Sequence, residues 1–425
     1  MNEKLVLGLG GTVDYEIVWD SRVIDDLVLH YAIQPSELSR LIAIRSERDL
    51  LIALLAFVKD GAGGERFVAS SRTVEEFAAR FRRRITLGGT GVRAAYAMEA
   101  LGVTCTLHLV SIDDNVRRLL PRGSAYISSA ERDTLDPHLI VQFVEGSRVR
   151  VGELELRSPH ANRVIFANDP PNAELVLSDE LGSSLEQAEL FMISGFNSIQ
   201  SEETLLRRLD DIRRHLSRLP QSALVFYEDS GFHVPALSRH VREALLDRID
   251  VYSMNEDEMQ AYVGHPVDLL DVDEVCAALG ELRELIPASL LVVHTKFWSL
   301  ALGERAGDYE DALRGAIQMA STRYVRGDGF TERNYVQTGL LPLNPLGAEL
   351  AAGIRARLGA EVCCVPAFLL TVEQPTTIGL GDTFVGGFIA AIARRAPSTG
   401  SGNESQPRSA SRIFTLAPVR SSEFE

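Results

Sequence analysis

The chain has 425 residues, 45% of them hydrophobic and 24% charged, enough apolar material for one big domain plus a smaller one, or for two domains. Its net charge of −16 disfavours a nucleic-acid or anionic-membrane surface. No uninterrupted apolar stretch approaches membrane-spanning length.

Leu5 to Leu9, closed by Gly8, Gly10 and Gly11, predicts a buried strand ending in a tight turn. Val13 stands where a Gly-x-Gly-x-x-Gly dinucleotide fingerprint needs its third glycine, so that reading fails. Asp14 follows the turn, as a turn-former or as a carboxylate able to grip sugar hydroxyls. A helix is predicted over Leu38 to Phe57 and a short strand over Arg66 to Ala69. Arg82-Arg83-Arg84 reads as the solvated end of a helix. Gly88-Gly89-Thr90 precedes a helix from Thr90 to Leu101, where close backbone approach to a ligand and a Thr N-cap both fit.

Val103 to Leu109 reads as a strand. His138 to Val144, Arg148 to Leu156, Arg163 to Ala167 and Glu174 to Leu177 have strand character between turn-prone residues. From Glu189 onward, strands and helices alternate. Strands are predicted at Glu189 to Ile193, Ala223 to Tyr227, Ile249 to Ser253 and Leu290 to Val293. Helical spacing marks Leu205 to Leu219, Leu237 to Leu246 and Val275 to Ile286. Such alternation argues for a parallel sheet covered by helices. We therefore expect a large α/β domain from segments 1–20, 86–109 and 188–396. Segments 21–85 and 110–187 form a β-rich lid over the strand ends, and 397–425 is a flexible tail. The four cysteines, at 105, 276, 363 and 364, lack the number and spacing of a disulfide framework or zinc site. With an N-terminus that shows no long apolar region of a secretion signal, they point to the cytoplasm.

The most informative run is Thr377-Ile378-Gly379-Leu380-Gly381-Asp382-Thr383, followed by the apolar stretch Phe384 to Ala391. Glycines there let backbone N–H groups converge at a helix start, and a carboxylate sits at its mouth. That outlines a phosphoryl-transfer site, with the amides holding the migrating group and Asp382 accepting a proton from the attacking hydroxyl. A plain turn with an Asp N-cap is the competing reading. Asn255-Glu256-Asp257-Glu258 follows a strand, suiting either Mg²⁺ held through its waters or an acidic first turn favoured by the helix dipole. Glu228 and Asp229 end the preceding strand and offer further carboxylates. His294-Thr295 ends another strand, as a structural hydrogen-bonder or at the nucleotide side of the crevice.

Five segments in order, Gly11-Thr12-Val13-Asp14, Gly88-Gly89-Thr90, Ile193-Ser194-Gly195-Phe196, Met254 to Glu258 and Thr377 to Thr383, resemble the ADP-dependent glucokinase and phosphofructokinase family of the ribokinase-like superfamily. The resemblance spans residues 5–395. It implies a ribokinase-like three-layer α/β/α sandwich with a smaller β-rich lid, and a cytoplasmic sugar kinase, monomeric or a small homo-oligomer. ADP would be the donor, a hexose or hexose phosphate the acceptor, AMP a product, and Mg²⁺ required. By matching position, Asp382 is the base and Gly379, Leu380 and Gly381 the anion hole. Asn255 and Glu258 belong to the Asn-x-x-Glu metal motif, with Glu228 as a further metal residue. Asp14, Gly88, Gly89 and Thr90 line the sugar pocket. Glu65 matches the lid Glu of glucose-using members, Arg163 is a candidate for a sugar phosphate, and His294 and Thr295 are nucleotide candidates. Phe226 stands where the family carries the His of a His-x-Glu motif, and Thr90 where an Asn often follows the glycine pair. An ATP-using ribokinase-like sugar or nucleoside kinase and a catalytically silent sugar- or nucleotide-binding regulator are the alternatives.

Overall fold

A computed structural model describes residues 4–372, 375–376 and 378–395. Thr377 and the expected tail at 397–425 lie outside the described residues. The chain divides into two compact units. The first comprises Met1–Arg93, Cys105–Ala223 and Ser230–Leu245, the second Ala94–Thr104, Leu224–Asp229 and Leu246–Glu425. No helix among the described residues is long and apolar enough to cross a membrane.

In the first unit, β1 (Leu5–Leu7) is followed by β2 (Thr12–Ile17), β3 (Gly64–Phe67), β4 (Arg83–Gly88), β5 (Thr106–Leu109) and β6 (Ala125–Ser128). Then come β7 (His138–Phe143), β8 (Arg148–Val151), β9 (Leu154–Arg157), β10 (Asn162–Ala167) and β11 (Leu190–Ile193). Strands β11, β1, β5 and β6 lie side by side, all parallel, as the alternating pattern requires. A separate five-stranded sheet runs β3-β10-β7-β2-β4. Thus β2 leaves the sheet that β1 joins, and the expected boundary at 85/86 falls inside β4.

Four local expectations change. The helix predicted over Leu38 to Phe57 occupies Glu47–Asp60, because the Ser46 side chain accepts the Asp49 N–H and so caps its start. Leu41, within the predicted span, is exposed. Glu174 to Leu177 is not a strand: Asp169 accepts the Asn172 N–H and two prolines open the helix Pro170–Glu174, so start signals outweigh β-propensity there. Arg148 to Leu156 folds back at Gly152, whose φ is 61°, as the β8–β9 hairpin. Arg83 and Arg84 lie in β4 rather than on a helix end, because Glu16 opposes Arg84 in the register and binds it at 2.6 Å.

The second unit contains β12 (Leu224–Glu228), β13 (Val251–Asn255), β14 (Leu290–His294), β15 (Trp298–Leu302) and β16 (Val362–Pro366). The first three are parallel. β15 runs antiparallel to β14, since the three residues between them allow only a hairpin, and β16 pairs antiparallel with β15. Strands β14 and β15 are buried along their whole length. The helix Leu380–Arg395 is seated by adjacent glycines. A Cβ on Gly386 would lie 2.5 Å from the Ala94 carbonyl oxygen, and one on Gly387 2.6 Å from the Met319 Cβ. Helix Glu310–Arg326 and the Ala94 to Ala97 turn therefore touch its backbone, which fixes where its N-terminus points.

Candidate active site

Register sorts the five-stranded sheet of the first unit into two unlike faces. Residues paired across strands share a face and neighbours along a strand do not. Asp14 pairs with Thr86 and His138, Glu16 with Arg84 and Ile140, and Thr12 with Gly88. Arg163 pairs with Gln142, and Ile165 with both Ile140 and Glu65. One face thus carries Asp14, Glu16, Glu65, Thr86, His138, Gln142 and Arg163. The other carries Val13, Tyr15, Leu139, Val141, Val164 and Phe166, all buried. The apolar face belongs to the core; the other, which also holds Ile140 and Ile165, carries the candidate recognition residues.

Asp14 sits within β2 rather than in a turn. Its Oδ2 accepts from Arg93 Nη2 at 2.7 Å and its Oδ1 from the Thr12 hydroxyl at 2.7 Å. A Cβ on Gly88 would lie 2.5 Å from Asp14 Oδ2 and 2.3 Å from Thr12 Oγ1, so the glycine makes room for this carboxylate. Gly89, with φ 88°, brings its backbone against Gly11, where a Cβ would be 2.8 Å from the Gly11 Cα. Thr90 opens its helix, and its hydroxyl accepts from Ser194 at 3.3 Å. Glu65, on β3, has its Oε1 3.7 Å from His233 Nε2. Arg163 is half-buried on β10.

Sequence reasoning missed His138 and Arg93. His138 Nε2 lies 3.1 Å from Asp169 Oδ2. Burial opposes its protonation, but the hydrogen bond and charge of Asp169, with the carboxylates of Asp14 and Glu65, push it up to about 9. The parity of β7 with β2 was the available signal.

In the second unit, chemistry-bearing residues collect at the C-terminal ends of β12, β13 and β14. Asn255 Oδ1 accepts the N–H groups of Asp257 and Glu258 at 2.7 and 3.1 Å, and Glu258 Oε2 accepts the Asn255 N–H at 2.7 Å. This capping box aligns both members of the Asn-x-x-Glu motif. Burial, with the neighbouring charges of Glu228 and Asp229, pushes Glu258 up to about 8, against the Asn255 bond. Glu228 Oε1 lies 3.0 Å from His294 Nε2, and Glu228 Oε2 is buried with no hydrogen-bond partner among the described residues. Burial disfavours a charged His294, yet Glu228, then Glu258 and Glu256, raise its pKa. Asp229 Oδ2 accepts from Tyr252 at 2.9 Å and from Tyr262.

His294 also stacks on Phe384, with centroids 4.4 Å apart, and a Cβ on Gly381 would lie 3.3 Å from its Cε1. The first turn of the Leu380–Arg395 helix, carrying Gly381 and Asp382, is thereby set beside the acidic strand ends. The N–H groups of a helix's first turn have no intrahelical acceptors, so Leu380 and Gly381 present donors there. Thr295 uses its hydroxyl locally, accepting the N–H groups of Phe297 and Trp298 at 3.0 and 3.1 Å. Phe226 lies in the core against Phe388, 5.2 Å between centroids. The imidazole that meets Glu228 comes instead from His294, two strands away.

Among the described residues no group of three or more His, Cys, Asp or Glu is placed to hold a metal directly. The cluster nonetheless suits Mg²⁺, which keeps several waters and needs one or two nearby carboxylates. Among the described residues it offers an unpartnered carboxylate oxygen on Glu228, and a second carboxyl, Glu258, close enough to Glu228 and Asp229 for their charges to raise its pKa.

Residues 3–389 match the ADP-specific phosphofructokinase/glucokinase conserved region. ADP-dependent glucokinase of Bos taurus is 24% identical over 225 residues, which is 51% of this chain; the chain spans 44% of that protein's length. Two Pyrococcus horikoshii phosphofructokinase structures share the fold. A hypothetical ADP-dependent one has TM-score 0.74 and 18% identity over 92% of this chain and 98% of that one. The other, solved with AMP, has TM-score 0.73 and 17% identity over the same shares. The fold class is therefore α/β, as the alternation implied, and the chain belongs to the ADP-specific phosphofructokinase/glucokinase family.

Proposed function

We propose that this protein is an ADP-dependent hexose kinase, transferring the β-phosphoryl group of ADP to a sugar hydroxyl and releasing AMP. The observation that carries the reading is the first turn of the Leu380–Arg395 helix, bearing Asp382, set through Gly381 and Phe384 against His294 and the carboxylates of Glu228 and Glu258. Amide donors there stabilise charge on the migrating group, and Asp382 takes the proton of the acceptor hydroxyl. Glu228, Asn255 and Glu258 would hold Mg²⁺ through its waters, which would neutralise donor phosphate charge.

The acceptor is read on the polar sheet face. A hexose presents several hydroxyls, and Asp14, His138 and Glu65 supply a carboxylate, a charged imidazole and a second carboxylate on one surface. Arg84 and Arg93 are engaged by Glu16 and Asp14, an arrangement that suits an uncharged hexose better than a phosphorylated one. Glucose is accordingly favoured over fructose 6-phosphate, although a relative of 12% identity was solved with fructose 6-phosphate and ADPβS. Incubating the purified chain with Mg²⁺, ADP or ATP, and glucose or fructose 6-phosphate decides the matter. AMP formation dependent on glucose and ADP supports the reading. Turnover with ATP alone makes it an ATP-using kinase, and binding without turnover a regulator.

A further inference from the structure

Arg323 is a buried cation, 5% exposed, near the end of helix Glu310–Arg326, and the reaction outlined above leaves it unused. Its Nε and Nη2 donate to Asp328 Oδ1 at 3.0 and 2.9 Å, while its Nη1 donates to the carbonyl oxygen of Ile378. Ile378 immediately precedes the glycine at which the anion-hole turn begins. Because a trans peptide is planar, its C=O and N–H point in opposite directions. Holding the Ile378 carbonyl therefore turns the Gly379 N–H away from Arg323. The next peptide is fixed similarly: the Gly379 carbonyl accepts from the Thr383 N–H at 3.0 Å and its hydroxyl at 2.8 Å, which directs the Leu380 N–H out of the helix start. Gly379 itself has φ 63°, a conformation that lets successive amides converge.

Burying a guanidinium is costly unless it is paired and hydrogen-bonded. Asp328 supplies the charge, but a salt bridge needs no loop carbonyl. The fork of an arginine can bind a carboxylate and a carbonyl at once in fixed directions, whereas a lysine ammonium cannot. We propose that Arg323 is a positioning residue for phosphoryl transfer, locking the Ile378–Gly379 peptide so that the Gly379 N–H is aimed for the charge that develops on the migrating group. The proposal rests on the ADP-kinase reading for its chemistry, but its geometric content does not.

The test compares wild type with Arg323→Lys and Asp328→Asn. Losing one well-aimed donor costs about 10²-fold in kcat, so Arg323→Lys should lower kcat by roughly that factor while KM for ADP changes little. Asp328→Asn, which loosens the guanidinium without deleting it, should give a smaller loss in the same direction. Glycine-selective ¹⁵N labelling reads the Gly379 amide whatever the donor. Its resonance should move in both variants while that of Gly280, in open space on another helix, stays in place. An unmoved Gly379 resonance, or unchanged kcat with only a lowered Tm, overturns the proposal. Absence of ADP-dependent turnover in wild type would instead refute the kinase reading, and the Gly379 resonance would still decide the role of Arg323.

Discussion

The polar sheet face of the first unit and the helix start of the second are candidate functional surfaces built in opposite ways. On the sheet, side chains make the surface: alternation puts Asp14, Glu65, His138 and Arg163 on one face and the core on the other. At the helix start, backbone makes it, and side chains such as His294, Thr383 and Arg323 mainly hold the backbone in place. A side-chain surface tolerates a change of chemistry residue by residue. A backbone surface responds to changes in whatever aims it.

The sharpest way to break this contrast is at Asp382, the one side chain given a chemical task at the helix start. Replacing it with Asn should lower kcat by about 10²–10⁴-fold while leaving Tm within a degree or two, measured by steady-state kinetics beside thermal unfolding. A large loss of stability would place Asp382 among the structural residues instead. On the sheet, Asp14→Ala should behave in the reverse sense. It removes the buried carboxylate that pairs with Arg93, whose side chain is 8% exposed, and should cost about 3–5 kcal/mol in urea unfolding along with acceptor binding. A variant of wild-type stability would show that the pair is not the anchor of this face.

How much of this the sequence discloses depends on the range of each interaction. Gly379 to Asp382 and Asn255 to Glu258 are visible because their hydrogen bonds run between near neighbours, as in the capping box. The parallel strands of the second unit were readable from apolar runs alternating with helical periods. Arg93 and Arg323 were not, since their partners Asp14 and Ile378 lie 79 and 55 residues away and no local pattern carries such a pairing. His138 was placed in a strand, but its role depends on which strand lies beside it. The division at 85/86, drawn where strand–helix alternation breaks, falls inside β4, because a strand's sheet is decided by register with distant partners rather than by its own residues.

Two smaller effects refine the comparison. Glu228→Gln removes the carboxylate with the unpartnered oxygen and should raise the Mg²⁺ concentration for half-maximal activity by about 10–100-fold, read by metal titration; an unchanged requirement would remove Glu228 from the metal site. His138 gives the pH dependence of the sheet. Its folded-state value of about 9 exceeds its ordinary value of 6.5, so protonated His138 stabilises the fold. That contribution is complete below pH 6.5 and is lost as pH rises through 9. Urea midpoints between pH 6 and 9 should fall with pH in wild type and flatten in Asp169→Asn; parallel curves for the two would contradict the assigned pairing.

In the proposed reaction, Asp382 and the amides beside it move a phosphoryl group from ADP to a sugar. Following the β-phosphorus of ADP by ³¹P NMR, with Mg²⁺ and glucose present, tests it most directly. This signal should pass into a sugar phosphate ester as AMP accumulates one for one, and Asp382→Ala, still folded, should halt both. Equal turnover by the alanine variant, or phosphorus that remains on the nucleotide whatever sugar is offered, would contradict it.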